Sequence, residues 1–109
     1  MGLLAPRPGE RLLIVGAGTG ADFPLLPSGT ATLGIDLSPA MLAKAWRKLP
    51  LPGRDILLVQ GDAQQPLVEK GSCDAVLLNL ILSVIPDGAA CLRFALRSLK
   101  TGGRAAVFY

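Results

Sequence analysis

The feature that most constrains this chain is a set of short runs that are apolar at nearly every position. A strand with one face in water alternates apolar and polar residues; a strand covered on both faces does not. "RLLIV" at Arg11–Val15 is such a run, and others recur at Ala31–Ile35, Asp55–Val59, Ala75–Leu78 and Ala105–Tyr109. Helix signals lie between them. Ser38 is a good N-cap, Pro39 suits the first helical position, and Ala40–Leu49 is rich in helix formers until "PLPG" at 50–53 ends the run. Asp87–Leu99 carries a second helical pattern. Cys91, Leu92, Ala95, Leu96 and Leu99 share one side, Arg93, Arg97 and Lys100 the other, and "KTGG" at 100–103 is read as its stop. Gly20–Leu26 can hold only a short helix, because Pro24 and Pro27 interrupt it. Strands alternating with helices predict an α/β fold: a doubly wound parallel sheet with helices on both faces.

Length and composition agree. A chain of 109 residues makes one domain, and 50% hydrophobic with 17% charged residues excludes a disordered chain. The net charge of +3 comes from scattered basic residues without aromatic interleaving, so no nucleic-acid surface is expected. With no histidine, Ser-His and Cys-His nucleophile pairs are excluded. Cys73 and Cys91 form no CxxC pair, so no metal site is expected. Both are read as small core residues in a reducing, cytoplasmic setting. The N-terminal stretch lacks the pattern of a signal peptide. The longest apolar region, Ala75–Pro86, is broken by Asn79 and Ser83 and falls short of the roughly 20 residues a membrane span requires.

The exit of the first run, "VGAGTGAD", is the most informative segment. Gly16, Gly18 and Gly20 fall where ligands bind in such sheets, beyond the carboxyl end of a strand. A plain strand-to-helix turn needs one glycine; three in five residues point to close approach of something to the backbone. Gly16-x-Gly18-x-x-Ala21 fits the dinucleotide fingerprint in its alanine-ending form, and Asp36 follows about 20 residues later, where an acid accepts from ribose hydroxyls. A nucleoside-containing ligand is therefore expected, and a nicotinamide cofactor stays open on the loop alone. Leu37 and Met41 can flank a flat base, the Asp62 carboxylate can accept from an exocyclic amine, and Asn79 ends the fourth run beside the cleft.

Taken in order, "VGAGTG", "GIDLSPAML", "GDAQ", "CDAV" and "LKTGGR" resemble the class I S-adenosylmethionine-dependent methyltransferases from Arg7 to Tyr109. The resemblance implies a Rossmann-like sheet in strand order 3-2-1-4-5, with residues 1–109 as a single cofactor-binding core domain. It implies that Gly16, Ala17, Gly18 and Gly20 wrap the methionine part of S-adenosyl-L-methionine, whose product form is S-adenosylhomocysteine. Asp36 would hold the ribose, Leu37 and Met41 would contact adenine, and Asp62 and Ala63 would bind its edge. Asn79 and Leu80 would line the path to the sulfonium. "ILSVIPDG" at Ile81–Gly88 is most similar to members acting on quinones and lipid headgroups, which implies a small-molecule methyl acceptor.

Two positions depart from the family's pattern. Ile14 stands where many members carry an acid, two residues before the first glycine. The chain also stops at strand five, without the family's last two strands. The expectation is a domain shortened at its C-terminus whose open strand edge pairs with a second copy or a swapped partner. No catalytic residue is singled out, because in-line methyl transfer draws its chemistry from the cofactor. Asp22 and Asp87 read equally well as helix-terminal acids, and Trp46 and Tyr109 as packing residues. Two other readings remain: a nicotinamide-dependent oxidoreductase domain, which "GDAQ" fits less well, and a folded module without turnover.

Overall fold

A computed structural model describes residues 6–18, 20, 23–62, 68–79 and 88–108. Five strands, β1 (Arg11–Val15), β2 (Ala31–Asp36), β3 (Asp55–Gln60), β4 (Cys73–Asn79) and β5 (Leu99–Phe108), form one sheet in the order β3-β2-β1-β4-β5. Every pairing is parallel. The chain therefore winds outward from β1 to one edge, returns, and winds from β4 to the other. The point of reversal lies between β1 and β4, where Val15 sits opposite Leu78.

The apolar runs are continuous because alternate residues enter two different cores. Leu12, Ile14, Ala75 and Leu77 pack on one face with Phe23, Leu26 and Ala45. Leu13, Val15, Val76 and Leu78 pack on the other with Ile35, Cys91 and Ala95. Helix α1 (Pro39–Trp46) brings Ala45 to the first face, and helix α2 (Gly88–Arg97) brings Cys91 and Ala95 to the second. Helix α1 begins as expected: Ser38 is its N-cap, its hydroxyl accepts from Met41 N at 3.3 Å, and Pro39 opens the first turn. Between β1 and β2 the described residues hold a 3-10 turn, Phe23–Leu25, in the stretch that Pro24 and Pro27 confine to a short helix.

Three expectations are corrected. The "KTGG" segment does not end a helix: α2 stops at Arg97 and β5 begins at Leu99. The last carbonyls are taken at once, Arg97 O by Gly71 N at 3.0 Å and Ser98 O by Cys73 N at 2.8 Å, so pairing starts without a turn. The slack is absorbed inside β5, where the register jumps from Cys73↔Leu99 to Ala75↔Arg104. Of the residues expected on the inner side of α2, Cys91 and Ala95 are buried, but Leu92 and Leu96 are exposed. Trp46 is 61% exposed rather than packed, and borders a surface groove with Leu49, Pro50 and Ile56. Tyr109 lies outside the described residues.

Candidate cofactor site

The site forms where β1, β2 and β4 end. Past Val15 the chain turns sharply back toward β2, and both Gly16 N and Ala17 N donate to Ile35 O, at 2.7 and 3.0 Å. A side chain at Gly16 has no room: its Cβ would run into the backbone carbonyl of Asn79. Across that contact the Asn79 side-chain amide donates to Gly16 O at 3.2 Å. The first glycine is thus demanded by β4, the strand on the far side of the reversal point. Gly20 answers to a different neighbour. A Cβ there would meet the Phe23 ring at 2.6 Å, so this glycine seats the protein's own core aromatic. Its assignment to the cofactor's methionine part has a structural explanation beside it. Gly18, with φ +58°, has no atom near the position of a Cβ, so the loop crown faces open space there.

Asp36 ends β2 half-buried and anchors this crown. Its carboxylate accepts from Gly18 N at 2.8 Å through Oδ2 and from Ser38 N at 2.9 Å through Oδ1. The neighbouring Leu37 and Met41 side chains are 61% and 40% exposed. Apolar side chains left in the open beside a half-buried carboxylate form a surface suited to a flat, partly apolar ring. The end of β3 is fastened to the same place: Gly61 N donates to Asp36 O at 3.1 Å and Gln60 Nε2 to Leu37 O at 3.3 Å. Asp62 follows directly. Burial pushes the Cys91 thiol up from its ordinary pKa, and the Asp62 charge adds to it.

Gly16, Ala17, Gly18, Asp36, Leu37, Met41 and Asn79 therefore gather at one end of the sheet. Ala63, Leu80, Asp22 and Asp87 lie outside the described residues. Ile14, in the position where many family members carry an acid, is 1% exposed and packed in the first core, where a hydrocarbon side chain belongs. Sequence reasoning missed the role of Gly18 N–H as a partner of Asp36, because a backbone donor leaves no trace in residue identity.

One property of the loop separates two classes of nucleoside ligand. Gly16 N, Ala17 N and Gly20 N donate to main-chain oxygens, and Gly18 N donates to Asp36. Dinucleotide and phosphate sites instead aim such amides at the anion. Here all four point into the protein. These four described amides offer no free donor to a pyrophosphate, while the Asp36 carboxylate can accept from hydroxyls and attract a cationic group.

Fold and site together define a Rossmann-like nucleoside-binding domain of the kind used by cofactor-dependent transferases. Residues 13–107 match the methyltransferase domain family, and the chain belongs to it. Demethylmenaquinone methyltransferase of Beutenbergia cavernae is 36% identical over 105 residues, covering 95% of this chain and 42% of the relative. Phosphatidylethanolamine N-methyltransferase of Cereibacter sphaeroides is 33% identical over 101 residues, covering 91% of this chain and 50% of the relative. Among solved structures, an S-adenosylmethionine-dependent methyltransferase from Mesorhizobium loti superposes with a TM-score of 0.79 at 27% identity, covering 97% of this chain and 49% of that one. The chain spans half or less of the length of each of these three proteins. The family's cofactor is S-adenosylmethionine.

Proposed function

We propose that residues 1–109 are the S-adenosylmethionine-binding core of a methyltransferase acting on a small-molecule or lipid-like acceptor. The observation that carries this reading is the Asp36 carboxylate, fixed beside the exposed Leu37 and Met41, under a glycine loop whose four described amides are all internally bonded. When bound, the cofactor supplies an electrophilic methyl group on a sulfonium. The protein's part is binding and orientation. Asp36 has acceptor capacity left on both oxygens for a ribose diol. Leu37 and Met41 take the base, and Asp62 with Ala63 its polar edge. Gly16, Ala17 and Gly18 lie against the amino-acid portion, with Asn79 and Leu80 beside the reacting centre. What supports the acceptor class is that two relatives are named as demethylmenaquinone and phosphatidylethanolamine methyltransferases. The buried free thiols of Cys73 and Cys91 fit a reducing, cytoplasmic setting. β5 forms an edge of the sheet, and in this reading its outer backbone groups take a strand from a second copy.

The test is calorimetric titration with S-adenosylhomocysteine, with NAD as the control. Binding of the first without the second is the expected result. Binding of NAD alone would replace this reading with the oxidoreductase one. Binding of neither, by a chain shown to be folded, would favour a module without turnover.

A further inference from the structure

We propose that Asp36 is a positioning residue for the glycine loop, and that by holding the Gly18 amide it makes the site selective against ligands that present phosphate there. The proposal rests on the reading of this end of the sheet as a nucleoside-cofactor site. Its basis is the pair of bonds that the carboxylate already makes within the protein. Oδ2 accepts from Gly18 N at 2.8 Å and Oδ1 from Ser38 N at 2.9 Å, so one side chain ties the loop crown to the N-cap of α1. Ionised acceptors bind N–H groups about twice as strongly as neutral ones do. Gly18 itself has no side chain with which to hold the loop's shape, and nothing packs where a Cβ would stand. Among the described residues, the other loop bonds fix Gly16, Ala17 and Gly20 and do not involve the Gly18 amide.

The consequence for selectivity is electrostatic. A loop of this kind becomes an anion cradle when its amides converge on the ligand. At Gly18 the amide is covered by a negative charge instead. A phosphate approaching the crown finds no free amide at Gly16, Ala17, Gly18 or Gly20, and meets the Asp36 carboxylate. Hydroxyls, which can donate to that carboxylate, and cationic groups, which it attracts, are admitted. The ligand class is a nucleoside bearing a cationic or neutral 5′ substituent.

The experiment uses the whole chain, Asp36→Asn, and three ligands: S-adenosylhomocysteine, its analogue lacking both ribose hydroxyls, and NAD. An asparagine offers one carbonyl oxygen and cannot accept from Gly18 N and Ser38 N as the carboxylate does. With no ligand present, Gly18 amide hydrogen exchange should be about tenfold or more faster in the variant, the loss of one charge-assisted bond. The analogue makes no diol contact, yet it should also bind the variant about tenfold more weakly. Equal binding of the analogue to both proteins, or unchanged Gly18 exchange, would overturn the positioning role. Tight binding of NAD to the native chain would overturn the selectivity. If the native chain binds none of the three, the cofactor reading fails, while Gly18 exchange still decides the loop contact. Should Asp36→Asn not fold, a through-hydrogen-bond coupling between Gly18 N and Asp36 Cγ in the native protein supports the contact, and its absence overturns it.

Discussion

Asn79 and Gly16 stand 63 residues apart in sequence and face each other across the reversal point of the sheet, the Asn79 side chain donating to the Gly16 carbonyl at 3.2 Å. β4 thereby closes the cleft floor that β1 opens. Replacing Asn79 with Ala removes this bond without disturbing the apolar core. We expect a stability loss of about 1 kcal/mol together with weaker binding of S-adenosylhomocysteine. Denaturant melts and calorimetry on the same samples separate the two effects. An affinity equal to that of the parent would show that the loop holds its shape without β4.

Gly16→Ala should be far more damaging than its single methyl suggests. The residue has φ +81°, and the new carbon would overlap the Asn79 main chain, which cannot move without breaking β4 pairing. A loss of about 2 kcal/mol or more is expected from positive φ and overlap combined. Gly18→Ala, which meets no neighbour, should cost about 1 kcal/mol from backbone strain alone. Urea midpoints that rank the two the other way would contradict the packing described at Gly16.

Thr32 is almost fully buried on β2, and among the described residues its Oγ1 finds no hydrogen-bond partner. Thr32→Val keeps the shape and removes the stranded hydroxyl. It should stabilise the chain by about 1 kcal/mol. A lower urea midpoint in the valine variant would mean that the hydroxyl is satisfied in solution.

The opposite end of the sheet carries the acid dependence. Arg104 holds the Glu10 carboxyl below its ordinary pKa through a 2.6 Å contact, and Arg11 N, followed by Lys100, does the same for Asp74. A carboxyl whose folded pKa is depressed binds protons more readily when unfolded. Its stabilisation is therefore complete above the unfolded pKa and is lost as pH falls through the folded one. Stability should hold from neutral pH to about pH 5 and decline below it. The double variant Glu10→Gln, Asp74→Asn should flatten that decline in urea titrations from pH 7 to pH 3. A slope unchanged by the double variant would assign the acid dependence to other carboxylates.

The inner strands were legible because doubly covered strands write their burial directly into composition: after the exposed Arg11, "LLIV" leaves no polar position to misread. The start of β5 was not, because "KTGG" has the residues of a helix stop. It stands instead in a strand whose register jumps between Leu99 and Arg104, where Lys100 pairs with Asp74 and Arg104 with Glu10. Leu92 and Leu96 were misplaced because α2 packs through small residues, Cys91 and Ala95, leaving the larger leucines outside. At the site, Asp36 was found by its spacing from the loop. Its bond to Gly18 N was not, since every residue has such a donor and only the fold decides where it points.

Gly16 and Ala17 both hang from a single carbonyl, that of Ile35, and Gly18 from the next residue along β2. The loop is therefore mechanically an extension of β2: any fraying of that strand's carboxyl end slackens the crown, and any ligand that tightens the crown clamps the strand. Affinity at the cleft and resistance of β2 to local opening become two readings of one equilibrium.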